Sequence, residues 1–185
     1  DVKILLEEIG MEYKDISIQA VAPASTIVQA FWKGAIKAFI IAFIGMGIVV
    51  FLTFRTVVPS LAIMLAATSD IIMAIALMDL AGIKMTLATF SALLILIGYS
   101  VDTDILLSTR VLKRGVGTIN ERIKSSAKTG LTMTLTSIAA MFVLYMLTPS
   151  QILRQIASVI IFGLLADVPF TWLQNVSILK IYLDR

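Results

Sequence analysis

Two residue types are missing altogether from the 185-residue chain: it has no cysteine and no histidine. The first absence excludes disulfides and thiolate chemistry. The second removes the side chain that usually anchors zinc, haem or a serine-type catalytic triad. Charge is scarce too, with 15 Lys and Arg and 12 Asp and Glu in a chain that is 59% hydrophobic. A mean hydropathy of +0.99 is too apolar for a water-soluble domain of this length. No glycine fingerprint for cradling phosphate, no carbonyl-filter motif and no acid pair at metal-ligand spacing occurs, so neither a metal nor another cofactor is expected, nor an enzyme activity.

What the chain does have is long runs without charge. No Asp, Glu, Lys or Arg occurs in 38–54, 85–101 or 129–153, and one acid alone, Asp70 or Asp167, interrupts each of 56–78 and 155–179. Each run is long enough to cross about 30 Å of hydrocarbon as a helix. The expected architecture is therefore an all-α membrane protein with five transmembrane helices, over about 31–54, 56–80, 85–107, 129–147 and 151–179. Pro169 is expected to kink the last of them near its middle. Residues 1–25 mix acids, bases and short apolar runs and read as the remnant of an extracytoplasmic domain with its linker, leaving 26–185 as the five-helix domain. The polar connector 108–128 is long enough for an interfacial amphipathic helix with Ile119 and Ile123 on its apolar side, or for a plain loop.

The formal charge of +3 could suggest nucleic acid, but six of the fifteen basic residues sit between Arg110 and Lys128, as a topology signal would. The partner expected from composition is thus the lipid bilayer, and no nucleic acid. Alternating direction places Arg55, the Arg110 to Lys128 cluster, Lys180 and Arg185 on one side, against Lys33, Lys37, Lys84 and Arg154 on the other. The positive-inside rule makes the first side cytoplasmic, with the chain's N-terminus outside the cytoplasm and its C-terminus inside.

Several ionisable residues fall in or near hydrocarbon. Asp70 lies fourteen residues beyond Thr56, which at about 1.5 Å per residue is close to mid-membrane. Asp167 stands beside Pro169, where the backbone ladder is interrupted. Each acid fits either a proton-linked role or a neutral hydrogen bond to another helix. Asp102 and Asp104 are two apart, so they project about 200° from each other; Gly98 and Tyr99 share the face of Asp102, and Ser100 and Ser108 that of Asp104. Both also fit ordinary acids near an interface. Lys128 heads a stripe with Thr132 and Thr136, either facing protein or bonding its own helix. If the third and fourth spans are neighbours, Lys128 and Asp104 share a depth and could pair. Gly98, Ala62 and Ala66, with Gly45 and Gly47, are candidates for close helix packing.

The segments IGYSVDTDILLSTRVLKR at 97–114 and INERIKSSAKTGLTMTLTS at 119–137 resemble the SecD/SecF family of protein-export membrane proteins, in its archaeal SecF branch. The likeness extends over about 28–182. It implies half of the membrane domain of a SecD/SecF-type assembly, within the resistance-nodulation-division superfamily, short of a first helix and most of an outer domain. The family's proton-linked acid follows Gly, any residue, a small residue and Val, a pattern that Gly98 to Val101 match ahead of Asp102. Bacterial members carry Asn then Asp where this chain has Asp102 then Thr103, so the carboxylate has moved by one residue and Asp104 is a second candidate. A basic residue opens the family's fifth helix, and Lys128 holds that place, without the rigid fork of arginine.

The resemblance implies an auxiliary subunit in the cell membrane that acts with SecD and the Sec translocation channel on a translocating polypeptide, late in export and with possible use of an ion gradient. The alternatives are a non-pumping assembly scaffold for the Sec complex and, more distantly, a small-molecule transporter. In this topology, external protease is expected to remove an N-terminal tag from intact cells and to spare one placed at Lys180; the reverse pattern would invert the orientation.

Overall fold

The computed structural model describes residues 24–113 and 117–183; residues 1–23 of the expected 1–25 remnant and linker, with Arg114 and Arg185, lie outside them, and Ala24 and Ser25 open the first helix. Five helices are long and apolar enough to cross a membrane. Helix α1 (Ala24–Phe54) begins in a first unit that ends at Gly34, where the rings of Phe31 and Trp32 pack at 5.5 Å. From Ala35 onward the chain forms a second unit. It contains the rest of α1 with α2 (Val57–Leu80), α3 (Leu87–Lys113), α4 (Ile119–Leu147), α5 (Gln151–Pro169), a π-helical segment (Phe170–Asn175) and α6 (Val176–Leu183).

The helix ends follow local chemistry. Arg55 adopts φ 53° and its N–H donates to the Phe51 carbonyl, which ends α1, and Thr56 returns to extended backbone to start α2. Pro59 falls within the first turn of α2, where a missing N–H costs nothing. Gly82, at φ 68°, closes α2 in a Schellman motif: its N–H donates to the Asp79 carbonyl at 3.0 Å and that of Ile83 to the Met78 carbonyl at 2.9 Å. Thr86 and Thr89 cap the start of α3 reciprocally, each hydroxyl accepting from the other's backbone N–H. Thr118 and Glu121 form a capping box at the start of α4.

That capping box explains a difference from the sequence reading. The segment 108–128 holds no separate interfacial helix: α3 continues to Lys113 and α4 begins at Ile119. Ile119 and Ile123 are the first turns of α4, and they pack against Leu107, Val111, Val176 and Leu179. Two arginines fasten this hairpin. Arg110 Nη1 donates to the Ser125 carbonyl at 2.8 Å and to Thr129 Oγ1 at 3.0 Å, and Arg122 Nη1 to the Val111 carbonyl at 2.8 Å.

Helix α5 is the centre of the bundle and packs against α2, α3 and α4. One core group joins Ala74 and Met78 of α2, Leu93 and Leu96 of α3, and Val159, Ile160 and Leu164 of α5. A second joins Val50 and Phe54 at the end of α1 to Ile63, Ala67 and Ile71 of α2 and to Ile97 and Val101 of α3. α1 and α4 are peripheral, with only 11% of each span's apolar window buried.

α3 and α5 come together at Gly163: a Cβ there would overlap Leu96 Cδ1 and Cδ2 and lie 2.7 Å from Leu96 Cγ, and Leu96 is completely buried. Only glycine lets α3 and α5 meet at this level. Gly163→Ala is expected to destabilise the purified protein by about 1–3 kcal/mol, the usual range for overpacking, and Leu96→Ala on that background to recover part of the loss. The check is thermal unfolding in detergent of both single variants and the double variant; strict additivity would show that the two residues do not clash.

Candidate functional site

Asp70, Asp104 and Asp167 come from three different helices, and each is fully buried. Asp167 is the midpoint of the 33-residue Gln151–Leu183 span, and Asp70 lies just past the midpoint of the 24-residue α2. Pro169 cannot supply an N–H to the α-helical ladder. The backbone widens into the π-helical segment directly after the proline at which a kink was expected. That segment presents Thr171 and Asn175, both fully buried, to the acids.

Asp104 Oδ1 lies 2.7 Å from the amide Nδ2 of Asn175, which donates to it, and 2.9 Å from Thr171 Oγ1. Thr171 Oγ1 is also 3.1 Å from Asp167 Oδ1. Ser100, one turn before Asp104 on α3, donates its hydroxyl to Asp70 Oδ2. Asp70 and Asp167 lie near enough to act on each other electrostatically. One connected polar group therefore links α2, α3, α5 and the π-helical segment. Among the described residues no lysine or arginine is near enough to act on these acids. A set of carboxyls in an apolar bundle without a counter-cation is affordable only when protons neutralise most of it. The second oxygens, Asp70 Oδ1, Asp104 Oδ2 and Asp167 Oδ2, have no hydrogen-bond partner, and neither does Asn175 Oδ1. No group of acids among the described residues is disposed to hold a metal ion.

The other sequence candidates lie elsewhere. Asp102 is exposed, on the outward face of α3 with Gly98 and Tyr99, and nothing lies within 4 Å of a Cβ built on Gly98. Lys128 is exposed on α4 and forms no pair with Asp104. Thr132 and Thr136 donate to the Lys128 and Thr132 carbonyls at 2.7 and 2.9 Å, so this stripe bonds its own helix. α4 instead turns Ser126, Gly130 and Thr134 inward, and Gly130 makes room for the Trp172 ring, since a Cβ there would lie 2.4 Å from Trp172 Cζ2. Ala62 and Ala66 are buried on α2. Sequence reasoning missed Thr171 and Asn175. Their signal was available: with Asp167 they recur every four residues in an otherwise apolar span.

The protein-export membrane protein SecD/SecF C-terminal family matches residues 1–185. The chain belongs to this family. Among similar proteins named protein-export membrane protein SecF, that of Pyrococcus furiosus is 46% identical over 185 residues, which is all of this chain and 62% of the relative. That of Methanothermobacter thermautotrophicus is 50% identical over 176 residues, covering 91% of this chain and 60% of the relative. The Methanocaldococcus jannaschii protein is 51% identical over 166 residues, covering 87% and 59%. The chain thus spans about three-fifths of the length of these relatives. No solved structure matches it. Family membership and five apolar helices make this a multi-pass membrane segment of the protein-export type.

The burial pattern separates the two neighbouring acids of α3. Asp104→Leu strands the Asn175 amide in the core, takes one of two acid partners from the Thr171 hydroxyl, and is expected to destabilise by about 1–3 kcal/mol. Asp102→Asn, on an exposed face, is expected to change stability by less than about 0.5 kcal/mol. Thermal unfolding of the purified variants measures both, and equal effects would contradict the geometry.

Proposed function

We propose that this chain is the membrane engine of a Sec auxiliary subunit. It would act with SecD, beside the translocation channel, on a polypeptide in the late stage of export, and would couple movement to protons entering its buried acids. The observation that carries the reading is the Asp70, Asp104 and Asp167 group, which is buried, hydrogen-bonded across helices and without a cation. A carboxyl that exchanges protons can drive movement only if the two conformations hold the proton differently. An acid group whose partners sit on three transmembrane helices and a π-helical segment meets that condition, because gaining or losing a proton alters contacts between helices.

Asp102 takes a separate part in this reading. With Gly98 and Tyr99 it forms an exposed strip on α3 where the SecD half would pack, which brings the family's matching acid to the seam between the two halves rather than into the core of one. The basic ends at Arg110, Arg122 and Lys180 face the cytoplasm. The names of the relatives and the family support the export role.

The test is a matched set, Asp104→Asn, Asp102→Asn and Lys128→Gln, in the full-length protein with SecD, measuring assembly, export and ion dependence together. Asp104→Asn is expected to assemble normally and to lose ion-dependent export. If instead every neutralising variant fails through lost assembly, the scaffold reading holds. Full export with unchanged ion dependence in Asp104→Asn would overturn the engine.

A further inference from the structure

Thr171 stands between two acids, with its Oγ1 2.9 Å from Asp104 Oδ1 and 3.1 Å from Asp167 Oδ1. A hydroxyl has one hydrogen and two lone pairs. It can donate fully along one of these contacts, so the hydrogen of the other comes from a carboxyl. Asn175 decides which, because its amide Nδ2 donates at 2.7 Å to the same Asp104 Oδ1. That oxygen is an acceptor and carries no hydrogen. Both contacts are satisfied together when Asp167 carries a proton on Oδ1: Thr171 then donates to Asp104 and accepts from Asp167.

We propose that Thr171 is a proton relay between Asp167 and Asp104, and that the Asn175 amide sets its direction. This deepens, and rests on, the proton-coupled reading above. In the forward step the Asp167 Oδ1–H bond breaks as Thr171 Oγ1 takes that proton, while the original Thr171 hydrogen passes to Asp104 Oδ1. One proton leaves Asp167, one arrives on Asp104, and the hydroxyl is regenerated with its hydrogen on the other side. The new Asp104 O–H then opposes the Asn175 N–H. A half-turn of the amide replaces that donor with Asn175 Oδ1, an acceptor that has no other partner. Until the amide turns back, the proton is held on Asp104.

The surrounding groups fit the route. Asp70, which takes the Ser100 hydroxyl, acts on Asp167 electrostatically, so the charge on Asp167 is sensed on α2 as well as on α3. The ionisable groups at the relay are Asp70, Asp104 and Asp167, and α4 brings Gly130 against Trp172 and Thr103. Both Thr171 and Asn175 belong to the π-helical segment, and short π segments recur at functional sites because they re-aim side chains at little cost to the rest of a helix.

The experiment compares Thr171→Val, Thr171→Ser, Asp104→Asn and Asp167→Asn in the full-length protein assembled with SecD and the translocation channel in liposomes. It reads assembly, proton-driven export and the infrared carbonyl band of protonated carboxyls. Thr171→Val keeps the side chain's shape and removes the hydroxyl. It is expected to assemble but to lower proton-driven export at least about tenfold, at or below the lower end of what a positioned proton-transfer group contributes. Thr171→Ser is expected to restore most of the rate. The carboxyl band is expected to lose the component that belongs to Asp167 in Asp167→Asn, and that component is expected to move to higher frequency in Thr171→Val, a change that lost packing alone would not cause. Wild-type export in Thr171→Val, equal failure of the Val and Ser variants, or a band indifferent to Asp167→Asn would each overturn the relay. Should Thr171→Val fail to assemble, the band in wild type against Asp167→Asn decides. Loss of export in Asp104→Asn with full export in Thr171→Val removes the relay alone, whereas full ion-dependent export in Asp104→Asn removes the reading beneath it.

Discussion

A carboxyl in the middle of a bilayer must find hydrogen-bond donors and must share its charge or lose it, because neither water nor headgroups reach it. Three such groups in one small bundle impose that condition on several helices at once, and the packing around them follows. α5 is central, and through it Asp167 lies beside Asp70 of α2 and is linked by Thr171 to Asp104 of α3. It reaches α3 because Gly163 carries no side chain at the level of Leu96. Beyond Pro169 the backbone widens by a π segment, which aims Thr171 and Asn175 at the acids, and Trp172 is seated against Gly130 of α4. Small residues here are the means by which polar groups on separate helices come within hydrogen-bonding distance, rather than mere packing material.

The two acids of α3 show how one helix can serve two environments. Their angular separation turns Asp104 into the core, where every neighbour is another element of this chain, and turns Asp102 outward with Gly98 and Tyr99. The family likeness drew attention to Asp102, and the geometry draws it to Asp104. These fit together if the outward acid belongs to the contact with another protein and the inward acid to changes within this one.

Much of the architecture could be read from the sequence because hydrocarbon tolerates few exceptions: the charge-free runs gave five spans in their observed order. Helix ends were less legible wherever caps, rather than hydropathy, set them. Thr118 and Glu121 start α4 ten residues before the apolar run, and the spacing that forms their capping box was present in the sequence. For the site, depth singled out Asp70 and Asp167, but their meeting with Asp104 could not be foreseen, since sequence does not say which helices are neighbours or how each is rotated. Lys128 and Asp104 illustrate the point: residues matched in depth lie apart because α4 turns Gly130, not Lys128, toward the bundle.

The length of the α3–α4 hairpin has a mechanical consequence. Twenty-nine residues make α4 about 44 Å long against about 30 Å of hydrocarbon, and the 27 residues of α3 make it about 40 Å. Some 10 Å or more of paired helix can therefore stand clear of the lipid, or be taken up by tilt. The grips of Arg110 on Ser125 and Thr129, and of Arg122 on Val111, stiffen that overhang. Any rotation of α3 around its buried carboxyl would carry this paired tip with it.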